Sequence, residues 1–552
     1  MLLTVDIETK SIGTKELFRN LHFTVEPNEK IGLIGRNGVG KTTLFSMLSG
    51  SDRDYAGTIQ TRRDTRLVST AQEHHTVEHL TAMEYILRNL PEYMALKHIL
   101  DTYPETMGND LKKIETYSTA LDRFTHLGYY RIEEKIERNL DSYQISNTMA
   151  RSPLSRLSGG QKRFVELVRV EQADADLALI DEPTNHMDYA AKALFINWLK
   201  TVSHAVLVIT HDRDVLQYVD KIIEIKDEQS YIFTGNYEAY LAQNTVSTAS
   251  DIHDYEIGLK TLDNLQRKIA WARARKPSWH GTADQRNPFK VMEDRLQREY
   301  DELKAALAKP SFWIDRESAA NLPKKISDNY GKFKAQSIHI RAEASKHHGG
   351  ELVALEDVQL GYNDMPLFKP VSFRLQAGER SQLVGRNGVG KTTLIKAIVA
   401  TSQKHQPETL IRGLIHCSRS LRVSVYEQEQ SAVTLERTLK EAVEHIYAAQ
   451  GLATDERIIG KVLGEYLFDP NRDGVLKVGQ LSGGQKARLQ IIAMLAGNPN
   501  LLILDEPTNH LDLPSIEELE NALSNYQGAV LYVSHDSYFA KNIGGEQLTL
   551  VR

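Results

Sequence analysis

Gly35-Arg36-Asn37-Gly38-Val39-Gly40-Lys41-Thr42 decides the fold, and the chain writes it twice: Gly385-Arg386-Asn387-Gly388-Val389-Gly390-Lys391-Thr392 repeats every fixed position. Each copy follows an apolar run (IGLI, SQLV) and precedes a helical pattern (TTLFSML, TTLIKAI). Strand, glycine loop and helix are the setting a phosphate-binding loop needs. The glycines let backbone N–H groups turn inward around phosphates. The helix N-terminus adds partial positive charge. Lys41 and Lys391, with the adjacent Thr42, Thr43, Thr392 and Thr393, then face the terminal phosphates, and the Thr42 and Thr392 hydroxyls suit Mg²⁺.

Downstream of each loop the same words recur in the same order. Leu177-Ala178-Leu179-Ile180-Asp181-Glu182 and Leu501-Leu502-Ile503-Leu504-Asp505-Glu506 read as strands buried on both faces that end in two carboxylates. Ligands gather at that end of a parallel sheet. Asp181 and Asp505 are therefore candidates to hold Mg²⁺ through water, and Glu182 and Glu506 to polarise the attacking water. His211 and His535 each follow a further apolar strand and are placed to hydrogen-bond a γ-phosphate. Ser158-Gly159-Gly160-Gln161 recurs as Ser482-Gly483-Gly484-Gln485. The phosphate loops lie 350 positions apart, the later motifs 324. The chain is thus a duplicated large domain rather than a solenoid, and the first copy carries roughly thirty extra residues, lying within 87–144. That insertion reads either as a neutral surface elaboration or as a helical arm for a partner.

The expected division is 1–240, 241–348 and 349–552. In the middle segment, Ile252, Tyr255, Leu259, Leu262 and Ile269 recur at helical spacing, as do Phe289, Met292, Leu296, Tyr300, Leu303 and Leu307. Two amphipathic helices packed together would bury both faces. Prolines 277, 288, 310 and 323 mark turns, and both 276–288 and 309–323 are candidates for the tip.

The chain has 552 residues, net charge −6 and a single cysteine, Cys417, which excludes an internal disulfide and suits a reducing compartment. No signal-peptide pattern opens it, and no apolar run reaches the ~20 residues of a membrane span. A cytoplasmic location and no membrane span are expected. Residues 260–348 hold 19 Lys and Arg against 11 Asp and Glu, on an otherwise acidic chain. Such asymmetry suits a nucleic-acid-facing element.

A phosphate loop, an LSGGQ and a DE strand in this order resemble the ATP-binding-cassette superfamily. Two copies on one chain, both with EPTNH(M/L)D and joined by a charged linker, resemble its ABC-F subfamily, over essentially the whole chain. The resemblance implies an α/β fold, two P-loop ATP-binding-cassette domains joined by an α-helical linker, hydrolysing ATP with Mg²⁺. It implies composite sites: Lys41 with Ser482, Gly483, Gly484 and Gln485, and Lys391 with Ser158, Gly159, Gly160 and Gln161. Gln72 and Gln428 resemble the glutamines that link Mg²⁺ to the helical part, and Asn185–Asp188 and Asn509–Asp512 the loops that join the sites. Tyr362 fits the aromatic that stacks on adenine; the matching position in the first half is Ile12, so base contact there is expected to be less aromatic.

The same resemblance points to the ribosome as partner, with rRNA and tRNA met through 241–348 and no obligate protein partner. Lys268, Arg273, Arg275 and Lys276 with Trp271 and Trp279, and the cluster Phe312–Arg316, mix cations with flat rings in a manner that suits RNA. Helix-pair packing is the other reading of those rings. Housekeeping translation factor and antibiotic-resistance protein both stay open. The alternatives from other classes are the energy module of a transporter with a separate permease, and a nucleic-acid remodelling ATPase.

Overall fold

The computed structural model describes every residue except 14, 71–76, 186, 279–286, 308–349, 364, 427–434, 467, 482 and 510. Gln72, Gln428, Ser482, Trp279 and the Phe312–Arg316 cluster fall outside the described residues. Two compact units form: the described residues of Met1–Tyr237 with Ile338–Arg552, and those of Glu238–Ser337.

In the larger unit each half carries the same pair of sheets. The first half's central sheet runs in the order Leu67–Ser69, Leu177–Asp181, Ala205–Ile209, Lys30–Gly35, Lys221–Lys226, Gln229–Thr234. All its pairings are parallel except the last, which is antiparallel. The second half repeats the order with Val423–Tyr426, Leu501–Asp505, Ala529–Val533, Arg380–Val384 and Glu546–Thr549. An antiparallel sheet around Leu3–Ile12 covers the first phosphate-loop helix, and one around Glu351–Tyr362 covers the second. Leu177–Asp181 and Ala205–Ile209 are buried at every residue, as strands covered on both faces must be. Each fully buried Leu or Ile there contributes about 1.5–3 kcal/mol.

The surplus of the first half is a helical hairpin, Tyr93–Thr106 and Leu111–His126. It is anchored at its base, where Tyr93, Phe124 and Tyr129 form a ring cluster with centroids 5.3–5.8 Å apart. The flanking helices have counterparts: Ala82–Arg88 and Leu439–Ala449 both start in a Thr-x-x-Glu capping box, at Thr81/Glu84 and Thr438/Glu441.

The smaller unit is an antiparallel helix pair, Tyr237–Arg275 followed by Pro288–Ala306, the latter capped by Asn287 with Pro at its first position. Leu265 and Ile269 pack on Leu296, and a Cβ at Gly258 would meet Leu307, so the two helices run alongside each other. Leu259, expected on the buried face, is instead exposed, while Leu265 and Ala272 are buried. The buried stripe keeps its three–four spacing but passes through Gly258, which faces the Leu307 side chain, instead of Leu259. Among the described residues no helix is long and apolar enough to cross a membrane.

Candidate functional site

Strand register builds the site. Leu33 and Asp181 both stand beside Ile209, so the phosphate loop, the paired carboxylates and the histidine leave adjacent strands at one level. The second half repeats this, with Asp505 beside Val533. Both phosphate-loop helices start from a glycine in the left-handed region, Gly40 at φ 106° and Gly390 at φ 105°. A Cβ on Gly40 would also lie 2.8 Å from the Phe18 ring. No other residue fits a turn that is both left-handed and closely packed.

Lys41 is buried, and its Nζ donates to Gly35 O at 2.7 Å; Lys391 donates to Gly385 O at 2.7 Å. Burial lowers the pKa of both ammonium groups. Thr42 Oγ1 donates to Asp181 Oδ2 at 3.2 Å, and Thr392 Oγ1 to Asp505 Oδ2 at 2.8 Å. Paired hydroxyl and carboxylate oxygens are the donors a hard divalent cation prefers, so these residues fit Mg²⁺ held together with phosphate oxygens.

Glu182 and Glu506 hold left-handed backbones, at φ 44° and 48°. Their amides bond back to Ile209 O and Val533 O, both at 2.9 Å, which over-determines that conformation. His211 Nε2 lies 3.7 Å from Glu182, and His535 Nε2 lies 3.2 Å from Glu506. Burial raises the pKa of both carboxyls, Glu506 to about 7. Burial, then the neighbouring lysine, keeps both imidazoles neutral, with His535 down at about 3. Among the described residues, both ring nitrogens of His211 and Nδ1 of His535 are buried without a hydrogen-bond partner. Buried polar atoms are as a rule satisfied, so these imidazoles fit a polar ligand.

Across the seam between the halves the phosphate loops are read reciprocally. Asn37 N donates to Asp512 Oδ2 at 2.8 Å, and Asn387 N to Asp188 Oδ2 at 3.0 Å. The other carboxylate oxygen caps the aspartate's own helix: Asp188 Oδ1 accepts from Ala191 N at 2.9 Å and Asp512 Oδ1 from Ser515 N at 3.0 Å. A chamber of about 310 Å³ lies between, lined by Glu182 and His211 of one half and Glu506 and His535 of the other.

Ser158 caps helix Gly159–Gln172, its oxygen accepting from Gln161 N while Gln161 Oε1 accepts from Ser158 N. Its counterpart helix is Gly483–Leu495. Tyr362 and Ile12 occupy equivalent strand ends and are 58% and 56% exposed. In the linker, Arg273 and Lys276 are not loose cations: both bind the nearly buried Glu293, at 2.9 and 3.1 Å. Trp271 meets Phe289 edge-on at 6.0 Å, and Arg275 lies 4.4 Å over the Trp271 ring. Helix-pair packing thus accounts for Trp271 and Arg273, leaving Lys268 among the exposed cations.

Sequence reasoning missed a polar group on the seam, Tyr189, Lys192, Arg213 and Asp214, because none belongs to a motif. The available signal was a break in the repeat: at an offset of 324, Lys192 falls on Ile516 and Arg213 on Ser537.

The ABC transporter family profile matches residues 18–185 and 368–509. The chain is 32% identical to the ATP-binding protein YdiF of Bacillus subtilis, covering 100% of this chain and 80% of the relative. It is 30% identical to the ATP-binding protein YheS of Escherichia coli K12, over 96% and 76%, and 28% identical to ABC transporter F family member 5 of Arabidopsis thaliana, over 97% and 72%. Similar solved structures include an archaeal ribosomal stalk protein aP1 complex with the ribosome recycling factor aABCE1 (TM-score 0.57, 16% identity, 99% and 87% covered). Another is ribosome-bound archaeal Pelota and ABCE1 (TM-score 0.54, 17% identity, 97% and 76% covered). At that identity they share the fold.

Proposed function

The chain belongs to the ATP-binding-cassette family, in its ABC-F branch, and is an ATP hydrolase; from that premise we propose that it is a ribosome-binding factor whose two nucleotides close the seam for binding and whose hydrolysis permits release. The observation that carries the reading is the reciprocal bond from Asp512 to the first phosphate loop and from Asp188 to the second. A triphosphate on either loop then lies in the seam, and losing its γ-phosphate loosens both halves.

In each site the phosphate-loop amides and Lys41 or Lys391 bind the terminal phosphates. Thr42 with Asp181, and Thr392 with Asp505, would hold Mg²⁺, which would supply charge neutralisation on those phosphates. Glu182 and Glu506 orient and polarise the attacking water, and the neutral His211 and His535 donate to the γ-phosphate. Ser158–Gln161 and Ser482–Gln485 complete the nucleotide site of the opposite half, Gln72 and Gln428 would link the Mg²⁺ site to the helical part, and Tyr362 stacks on the second adenine. Segment 241–348 is the effector, its basic excess facing RNA phosphates. The branch membership, that charge excess and the ribosomal setting of two structural relatives support the partner.

The test is the double variant Glu182→Gln, Glu506→Gln. Loaded with ATP, it is expected to sediment with ribosomes at moderate salt and to inhibit protein synthesis. Recovery in the ribosome-free fraction overturns the reading.

A further inference from the structure

Two halves that repeat at an offset of 324 should meet in a symmetric seam, and at four positions they do not. The offset sets Tyr189 against Leu513, Lys192 against Ile516, Arg213 against Ser537 and Asp214 against Tyr538. Lys192 stands in the first turn of helix Tyr189–Thr201. Its buried ammonium meets Asp212 at 2.8 Å and Asp214 at 2.9 Å in its own half, and donates across the seam to the backbone carbonyl of His535 at 2.6 Å. Asp214 accepts from the amide and hydroxyl of Ser537. Arg213 reaches Asp536 at 3.1 Å and also pairs with Glu520. Tyr189 donates to Ser534 O at 3.0 Å, and its ring stands edge-on to the His535 imidazole, centroids 4.9 Å apart. The first half therefore grips the second half's segment Ser534–Ser537 on every residue. At the mirror position Ile516 is apolar and can donate nothing to the carbonyl of His211.

We propose that Lys192 is a positioning residue that ties the switch segment of the first site, His211–Asp214, to that of the second, His535–Ser537, so that the two sites are coupled asymmetrically, with the geometry of the second set from across the seam by the first half. The proposal rests on the reading of His535 as a γ-phosphate partner. The bond to His535 O fixes the backbone of a site histidine from across the seam, whereas in its own half the ammonium meets the side chains of Asp212 and Asp214. Buried and fully partnered, it has no low-cost alternative position. A shift of the second histidine by a fraction of an ångström is felt in the chemical step rather than in binding, because the γ-phosphate contact tightens as charge develops.

Steady-state ATP turnover of the full chain is measured where one site works at a time: Glu182→Gln leaves the second, Glu506→Gln the first. Lys192→Met is expected to lower second-site kcat by about tenfold or more with KM changed less than about twofold, the signature of a lost transition-state contact. First-site kcat changes by less than about threefold, and Lys192→Arg restores second-site turnover. Tyr189→Phe removes one hydroxyl from the same grip and is the probe if Lys192→Met does not fold; it is expected to slow the second site alone. An equal fall at both sites, or unchanged second-site kcat, overturns the proposal. His535→Ala separates the two levels. If it abolishes second-site turnover while Lys192→Met and Tyr189→Phe do nothing, only the coupling fails. If it leaves turnover intact, the parent reading of His535 fails with it.

Discussion

A single imidazole shows how much burial alone dictates. His204 is half-buried, and burial together with the Lys30 ammonium, which donates to His204 O at 2.8 Å, depresses its pKa from 6.5 to about 4. Between those values the unfolded chain binds a proton that the folded chain refuses. The neutral imidazole's stabilising share is therefore complete above pH 6.5 and drains away as pH falls toward 4. His204→Gln is expected to flatten the fall of Tm over that window while leaving Tm at pH 7.5 nearly unchanged; an unaltered slope refutes the assignment. The site histidines obey the same physics with a different consequence. Neutral and, among the described residues, without a partner on at least one nitrogen, they keep hydrogen-bonding capacity for a ligand. Residue identities at the site were legible in the sequence: loop lysines, paired carboxylates and histidines stand where short local patterns put them, since a phosphate loop is made by consecutive residues. What those patterns did not carry is the left-handed backbone of Glu182 and Glu506, a conformation imposed by the adjacent strand.

At the scale of elements, one carboxylate serves two structures. Asp188 caps helix Tyr189–Thr201 with Oδ1 and holds the opposite phosphate loop with Oδ2. Asp188→Ser keeps a good cap and removes the reach across the seam, so Tm should hold while ATP turnover falls. Asp188→Ala should lose turnover and also about 1 kcal/mol of stability, the usual worth of an N-cap. Equal Tm losses in both variants contradict the division of labour between the two oxygens. The linker helices make a second case. Glu293 gathers Arg273 and Lys276 across the helix pair. Arg273→Ala is expected to speed amide exchange in the last turns of Tyr237–Arg275 and the first of Pro288–Ala306, whereas Lys268→Ala leaves exchange unchanged and weakens ribosome binding. Faster exchange in Lys268→Ala breaks this assignment. Helical periodicity revealed the helix pair but not this role of Arg273, because a basic residue reads as solvated until its partner, twenty positions on, is folded against it.

For the whole molecule, two nucleotides in one seam should not bind as two independent events. A ligand at 100 times its Kd stabilises its fold by ~2.7 kcal/mol. In the Glu182→Gln, Glu506→Gln background, adding Lys41→Ala is expected to remove clearly more than half of the ATP-induced rise in Tm. The surviving nucleotide then closes the seam against an empty partner. Loss of half the rise indicates independent cassettes and counts against a shared clamp. The duplication, the order of motifs and the chemistry each half carries were determined by the sequence alone. They are local: neighbouring residues along a strand, loop or cap fix them whatever the rest of the chain does. Only the tertiary structure decided that Asp512 meets Asn37 and Asp188 meets Asn387, and that Lys192 reaches His535 with nothing equivalent at Ile516. Those partners are 199 to 475 positions apart. No periodicity links them; the docking of two packed domains brings them within hydrogen-bond reach.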